Sequence, residues 1–94
     1  MKQRKLVFRL HAISRMAQRG FEPADIRYVL NNGTTIEHYP DDFPYPSCLV
    51  LSWLNGRPVH VVAAFNDEEL EIIIVTVYEP DIQIWTDGFS RRKL

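Results

Sequence analysis

Asn55-Gly56 lies between two apolar runs of strand length, residues 48–54 and 57–65, and constrains the chain more than any other stretch. An Asn-Gly pair supplies the left-handed backbone that a tight turn requires, so the two runs are expected to fold back on each other as an antiparallel hairpin. A polar turn over 66–69 leads to a third run, 70–78, which Pro80 ends. Upstream, residues 34–39 read as a strand reached through YPDDFPYPS. Pro40, Pro44 and Pro46 have no ladder donor, so that segment is a stiff connection and not a strand.

The first third of the chain has the other periodicity. Ala12, Ile13, Met16 and Ala17 recur at helical spacing, and Gly20 stands where a left-handed stop belongs. This predicts a helix over about 9–19. Pro23 suits a first helical turn, and Ile26, Val29 and Leu30 give a buried stripe before Gly33, which predicts a second helix over about 23–31. Residues 6–8 either form a short first strand or lead straight into the helix. The expected architecture is α+β: two N-terminal helices packed on one face of a three- to four-stranded antiparallel sheet. A tail over 81–94 is expected to pack Trp85 and Phe89 back on the body. Ninety-four residues have room for one core and one domain.

Net charge is −1, but its sign is segregated along the chain. Residues 1–20 hold six Lys and Arg (Lys2 among them) and no acid. Residues 21–89 hold two arginines against all 12 acids, and Arg91, Arg92 and Lys93 follow. The pattern gives either a basic face on an acidic body or two solvated basic tails. The longest apolar run, IIIVTVY, is too short to span a bilayer, so no membrane is expected. The single cysteine, Cys48, forbids an internal disulfide, fits a reducing cytoplasm and sits among apolar neighbours as an inert thiol.

Three groups of side chains are candidates for chemistry. On a helix, His11, Arg15 and Arg19 fall on one stripe at four-residue spacing. Like charges so placed cost roughly 0.2–0.5 kcal/mol per pair, which calls for compensation. The stripe is then either a phosphate-binding face, for which the arginine fork is well shaped, or a surface helix neutralised by Glu22, Asp25 or a strand acid. His60, mid-strand with Val62 and Ala64 on its face, is either hydrogen-bonded in the core or set at the floor of a groove. Simple alternation puts Tyr78 and Thr76 on one face with Ile72 and Ile74, and places Tyr78 near His60 or one strand position away. No two of His11, His38 and His60 lie at a short ligand spacing, so neither metal nor other cofactor is expected.

Four blocks in order, HAxxRMxxRG at 11–20, the YPDDFPYPSC connection, GRPxHVV from Gly56 and TVYxP from Thr76, resemble a small bacterial family of uncharacterised domains. The resemblance spans roughly residues 8–92. That family is similar in layout to the RelE/ParE-like toxins, with their MqsR-like and BrnT-like branches. The resemblance implies a RelE-like toxin fold, a toxin of a type II toxin–antitoxin system, and an endoribonuclease acting on mRNA, with or without the ribosome. It also implies a cognate antitoxin, of the zinc-finger MqsA type, as partner. In such a reaction His11 or His60 serves as base or acid and Tyr78 as proton donor or stacking ring. Arg15, Arg19, Arg91 and Arg92 hold phosphate. The competing expectations are a non-catalytic protein- or nucleic-acid-binding module on the same fold and a gyrase-directed toxin.

Overall fold

Residues 4–93 are described in the computed structural model; Lys2, part of the basic N-terminal run, lies outside them. The order is β1 (Lys5–Phe8), α1 (Leu10–Arg19), α2 (Pro23–Asn32), β2 (Thr34–Tyr39), β3 (Ser47–Leu54), β4 (Arg57–Asn66), β5 (Glu71–Tyr78), β6 (Trp85–Thr86) and β7 (Arg91–Arg92). Strands β1–β5 form one sheet in the order β1-β5-β4-β3-β2, and β6 and β7 pair as a separate ribbon.

The expected antiparallel sheet of three to four strands, and with it the RelE-like layout, is therefore corrected. Leu6–Phe8 belongs to a strand that precedes both helices and lies parallel to β5, so the sheet is five-stranded and mixed. A hairpin announces itself by its turn, whereas β1 and β5 are joined by most of the chain and no local residue marks their pairing. The Asn55-Gly56 turn does close the β3–β4 hairpin, with Leu54 opposite Arg57.

Two glycines fix the helix ends for different reasons. Gly20 takes φ +74, ending α1 in the left-handed region. Gly33 does not; a Cβ there would lie 2.5 Å from the Val29 carbonyl oxygen and 2.7 Å from that of Leu51. Only glycine lets the end of α2 approach β3 so closely. At the start of α2, the Asp25 carboxylate accepts the Glu22 N–H at 2.8 Å, occupying a donor that the helix itself leaves unpaired.

Both helices lie on one face of the sheet. Ala12 and Met16 of α1, Phe21, and Ile26, Val29 and Leu30 of α2 pack with Cys48, Val50, Val59, Val61, Ala63, Ile72, Ile74 and Val77 in one core. Burial pushes the Cys48 thiol pKa up, leaving it protonated. No helix among the described residues is long and apolar enough to cross a membrane.

Irregularities in two strands decide what the opposite face displays. Thr35 pairs with Val50 but Glu37 with Leu49, so the register shifts at Ile36. On the other side Val62 pairs with Thr76 and Ala63 with Ile74, leaving Val75 as the extra residue of β5. Each bulge turns the rest of its strand over. Glu37 and Tyr39 then share the face of Leu49 and Ser47. Thr76 and Tyr78 share that of Val62 and His60, away from the core residues Ile72 and Ile74. The alternation that grouped Tyr78 with Ile72 and Ile74 is corrected by that bulge.

Candidate functional site

The sheet face away from the helices carries a cluster of polar and aromatic side chains drawn from β2, β4, β5 and the C-terminal ribbon. At its base is His60, 0% exposed, directly opposite Tyr78 in the β4–β5 ladder. Its Nε2 lies 2.8 Å from the Phe89 carbonyl oxygen and its Nδ1 lies 3.2 Å from the Tyr78 hydroxyl. A carbonyl only accepts, so Nε2 carries the proton of the neutral ring and Nδ1 accepts from Tyr78. Trp85, 3% exposed, closes over the imidazole edge-to-face at 4.4 Å. Burial lowers the His60 pKa, with the Phe89 carbonyl working the other way; the ring is neutral at neutral pH.

Around this plug lie the more accessible groups. Arg92 stacks on Trp85 at 5.0 Å and points its Nε at the Glu37 carboxylate at 3.5 Å. The Tyr39 hydroxyl donates to that same carboxylate. Burial first, then the bond to Glu37, pushes the Tyr39 pKa up to about 12. Burial also raises the Tyr78 pKa, while the Arg92 charge opposes it. Side-chain exposure is 26% for Glu37 and 61% for Arg92, so a carboxylate and a guanidinium meet at an accessible rim with the Tyr39 phenol, while the half-buried Tyr78 phenol lies on the same face, held by His60. Together they can take up a proton, give one up and hold an anion without help from a metal. Among the described residues no three His, Cys, Asp or Glu side chains are placed to bind one.

A family model described as a domain of unknown function, DUF4258, matches residues 8–79. The chain belongs to the DUF4258 family. No curated protein and no solved structure gives a significant match. The DUF4258 match begins at Phe8, the last residue of β1, runs through β5 and stops at Glu79. Trp85, Phe89 and Arg92, which close the cluster, come from the segment beyond the matched span.

Within this DUF4258 fold the residues singled out from the sequence divide into two groups. His60, Tyr78 and Arg92 come together on the face away from the helices. His11, Arg15 and Arg19 do not join them. They lie exposed on α1, whose Ala12 and Met16 face the core on the other side of the sheet. Arg19 reaches toward Glu79 at 4.0 Å, and Glu79 also pairs with Arg57, whose guanidinium stacks over Phe21 at 5.5 Å. Arg91 pairs with Asp87 at 3.7 Å in an exposed bridge, a contact worth roughly 0–1 kcal/mol. Glu37 and Tyr39, central to the cluster, were missed from the sequence. Unbroken alternation from Thr35 would have turned both toward the helices, and no residue type advertises the bulge at Ile36.

Proposed function

We propose that this protein is a metal-independent endoribonuclease whose working groups are Glu37, Tyr78 and Arg92, and that it serves as the toxin of a toxin–antitoxin pair acting on mRNA. The observation that carries this reading is the convergence of a carboxylate, a guanidinium and two phenols on one accessible sheet face. The biological role, with a cognate antitoxin of the zinc-finger MqsA type as the restraining partner, is carried over from what the resemblance of the four sequence blocks implies; the RelE-like layout, corrected above, lends it no support.

In this reading the Glu37 carboxylate takes the proton of a ribose 2′-hydroxyl, whose oxygen attacks the neighbouring phosphorus. The Tyr78 O–H swings off His60 Nδ1 and gives its proton to the 5′-oxygen as that oxygen leaves, and a 2′,3′-cyclic phosphate remains. Arg92 stabilises the charge on the phosphorane and on the Tyr78 phenolate that follows. Tyr39 and His60 work through others: Tyr39 holds the Glu37 carboxylate, and His60 fixes the Tyr78 hydroxyl. His60 itself, fully buried with both ring nitrogens bonded, does not touch the substrate.

The test is incubation of the purified protein with mRNA, with and without ribosomes. Cuts ending in a cyclic phosphate are expected, and each of Glu37→Gln, Tyr78→Phe and Arg92→Ala should slow them about 100-fold or more. Intact RNA from folded wild type in both settings rejects the enzyme.

The sealed state of His60 favours a second reading, a non-catalytic module that binds protein or nucleic acid through His11, Arg15 and Arg19. Growth separates the two. Expression of a toxin arrests cells, and expression of a binding module does not.

A further inference from the structure

Beside the polar cluster, on the same sheet face, a groove of about 180 Å³ opens between Arg9 and the proline-rich connection. Val62 and Ala64 of β4 form its floor, and Asp42, Phe43 and Tyr45 form its far wall. Register ties it to the cluster. Val62 is joined through Leu49 to Glu37, and Ala64 through Ser47 to Tyr39. The floor therefore lies two strands from Glu37, about 10 Å at the usual strand spacing, close enough for one RNA strand to cover both.

We propose that this groove is a base-recognition subsite for a single-stranded RNA nucleotide adjoining the bond cut at the Glu37–Arg92 cluster, and that it selects guanine. The inference rests on the ribonuclease reading. Its chemistry comes from the wall residues. Phe43, 95% exposed at the tip of the connection, offers the open ring face that unpaired bases stack on. Tyr45 is held in place, its hydroxyl accepting the Asn66 side-chain amide at 3.1 Å. The Asp42 carboxylate accepts the Ser47 hydroxyl through Oδ2. That bond orients the group and leaves Oδ1 and the second lone pair of Oδ2 for a base edge. Guanine presents two adjacent donors, N1–H and the exocyclic amino group, to such a carboxylate, whereas uracil has no amino donor. Arg9, across the groove, is placed for the phosphate attached to that base. Pro40, Pro44 and Pro46 limit the freedom the connection would otherwise lose on binding.

The subsite is tested on the full chain by amide-resolved titration with guanosine 3′-monophosphate and, separately, uridine 3′-monophosphate, neither of which requires turnover. Saturable shifts at Phe43, Ser47 and Ala64 are expected, with guanosine bound at least ten-fold tighter. Asp42→Asn, in an exposed loop, should remove the preference, and Phe43→Ala should weaken guanosine binding about ten-fold. Shifts elsewhere, equal affinity for the two nucleotides or no saturation would overturn the subsite. Its fate is separable from that of the enzyme. Guanosine binding in a protein that leaves RNA intact keeps the subsite and removes the nuclease. Cleavage that is indifferent to guanine and to Asp42→Asn does the reverse.

Discussion

At the scale of single residues, His60 decides how the sheet face is read. An imidazole in the middle of a strand is legible from sequence as either a core residue or the floor of a groove, and the structure combines both. The ring is buried, yet its partners are a phenol and a main-chain carbonyl from the tail. Its lowered pKa has a consequence for stability. Below the ordinary histidine value the unfolded chain takes up a proton that folded His60 refuses, so stability falls as pH drops from about 6.5 through the depressed folded value. We expect the thermal midpoint of the wild type to decline over that window more steeply than that of His60→Asn, measured in parallel by circular dichroism. Equal slopes would show that His60 is not sealed. The opposite case is Tyr39. With its pKa raised to about 12, it favours folding up to about pH 10, and that contribution is lost as pH climbs through 12. A phenolate absorbance titration should lose its latest step in Tyr39→Phe.

At the scale of elements, what the sequence disclosed follows from how local each signal is. The Asn55-Gly56 hairpin, the two helices and the stop at Gly20 all rest on residues within a turn of one another. Trp85 and Phe89 were expected to pack back on the body and do so, Trp85 on His60 and Phe89 edge-on to Trp53 at 5.8 Å. The parallel strand β1 and the bulges at Ile36 and Val75 depend on partners far along the chain, and they determine the outcome at the site. Without the bulges Glu37, Tyr39 and Tyr78 would turn toward the helices. Gly33 gives a test of element packing. Gly33→Ala presses a methyl group on two carbonyl oxygens and should cost at least the 1–3 kcal/mol of an overpacked core. Gly20→Ala has open space around it and carries only the left-handed strain, about 1–2 kcal/mol. Chemical denaturation should rank the two in that order; equal losses would mean that α2 and β3 lie further apart.

At the scale of the whole molecule, the segregated charge of the sequence is partly folded away. Arg4 bridges to Asp67, Arg19 approaches Glu79, and Arg92 meets Glu37, so basic ends close on the acidic middle. Among the described residues His11 and Arg15 make no ion pair, and their stripe stays open to solvent on the helical side of the sheet. The molecule thus has two separate places where an anion can sit: the His11 and Arg15 end of the α1 stripe, which has no carboxylate partner among the described residues, and a mixed cluster that has one. Binding needs only the first, but proton transfer needs the second. Comparing RNA cleavage by Glu37→Gln and Arg15→Ala, both checked for folding, tests this division most directly. We expect Glu37→Gln to reduce the rate about 100-fold or more while Arg15→Ala stays within a few-fold of wild type; loss of cleavage in Arg15→Ala with Glu37→Gln unaffected would place the chemistry on the wrong side of the sheet.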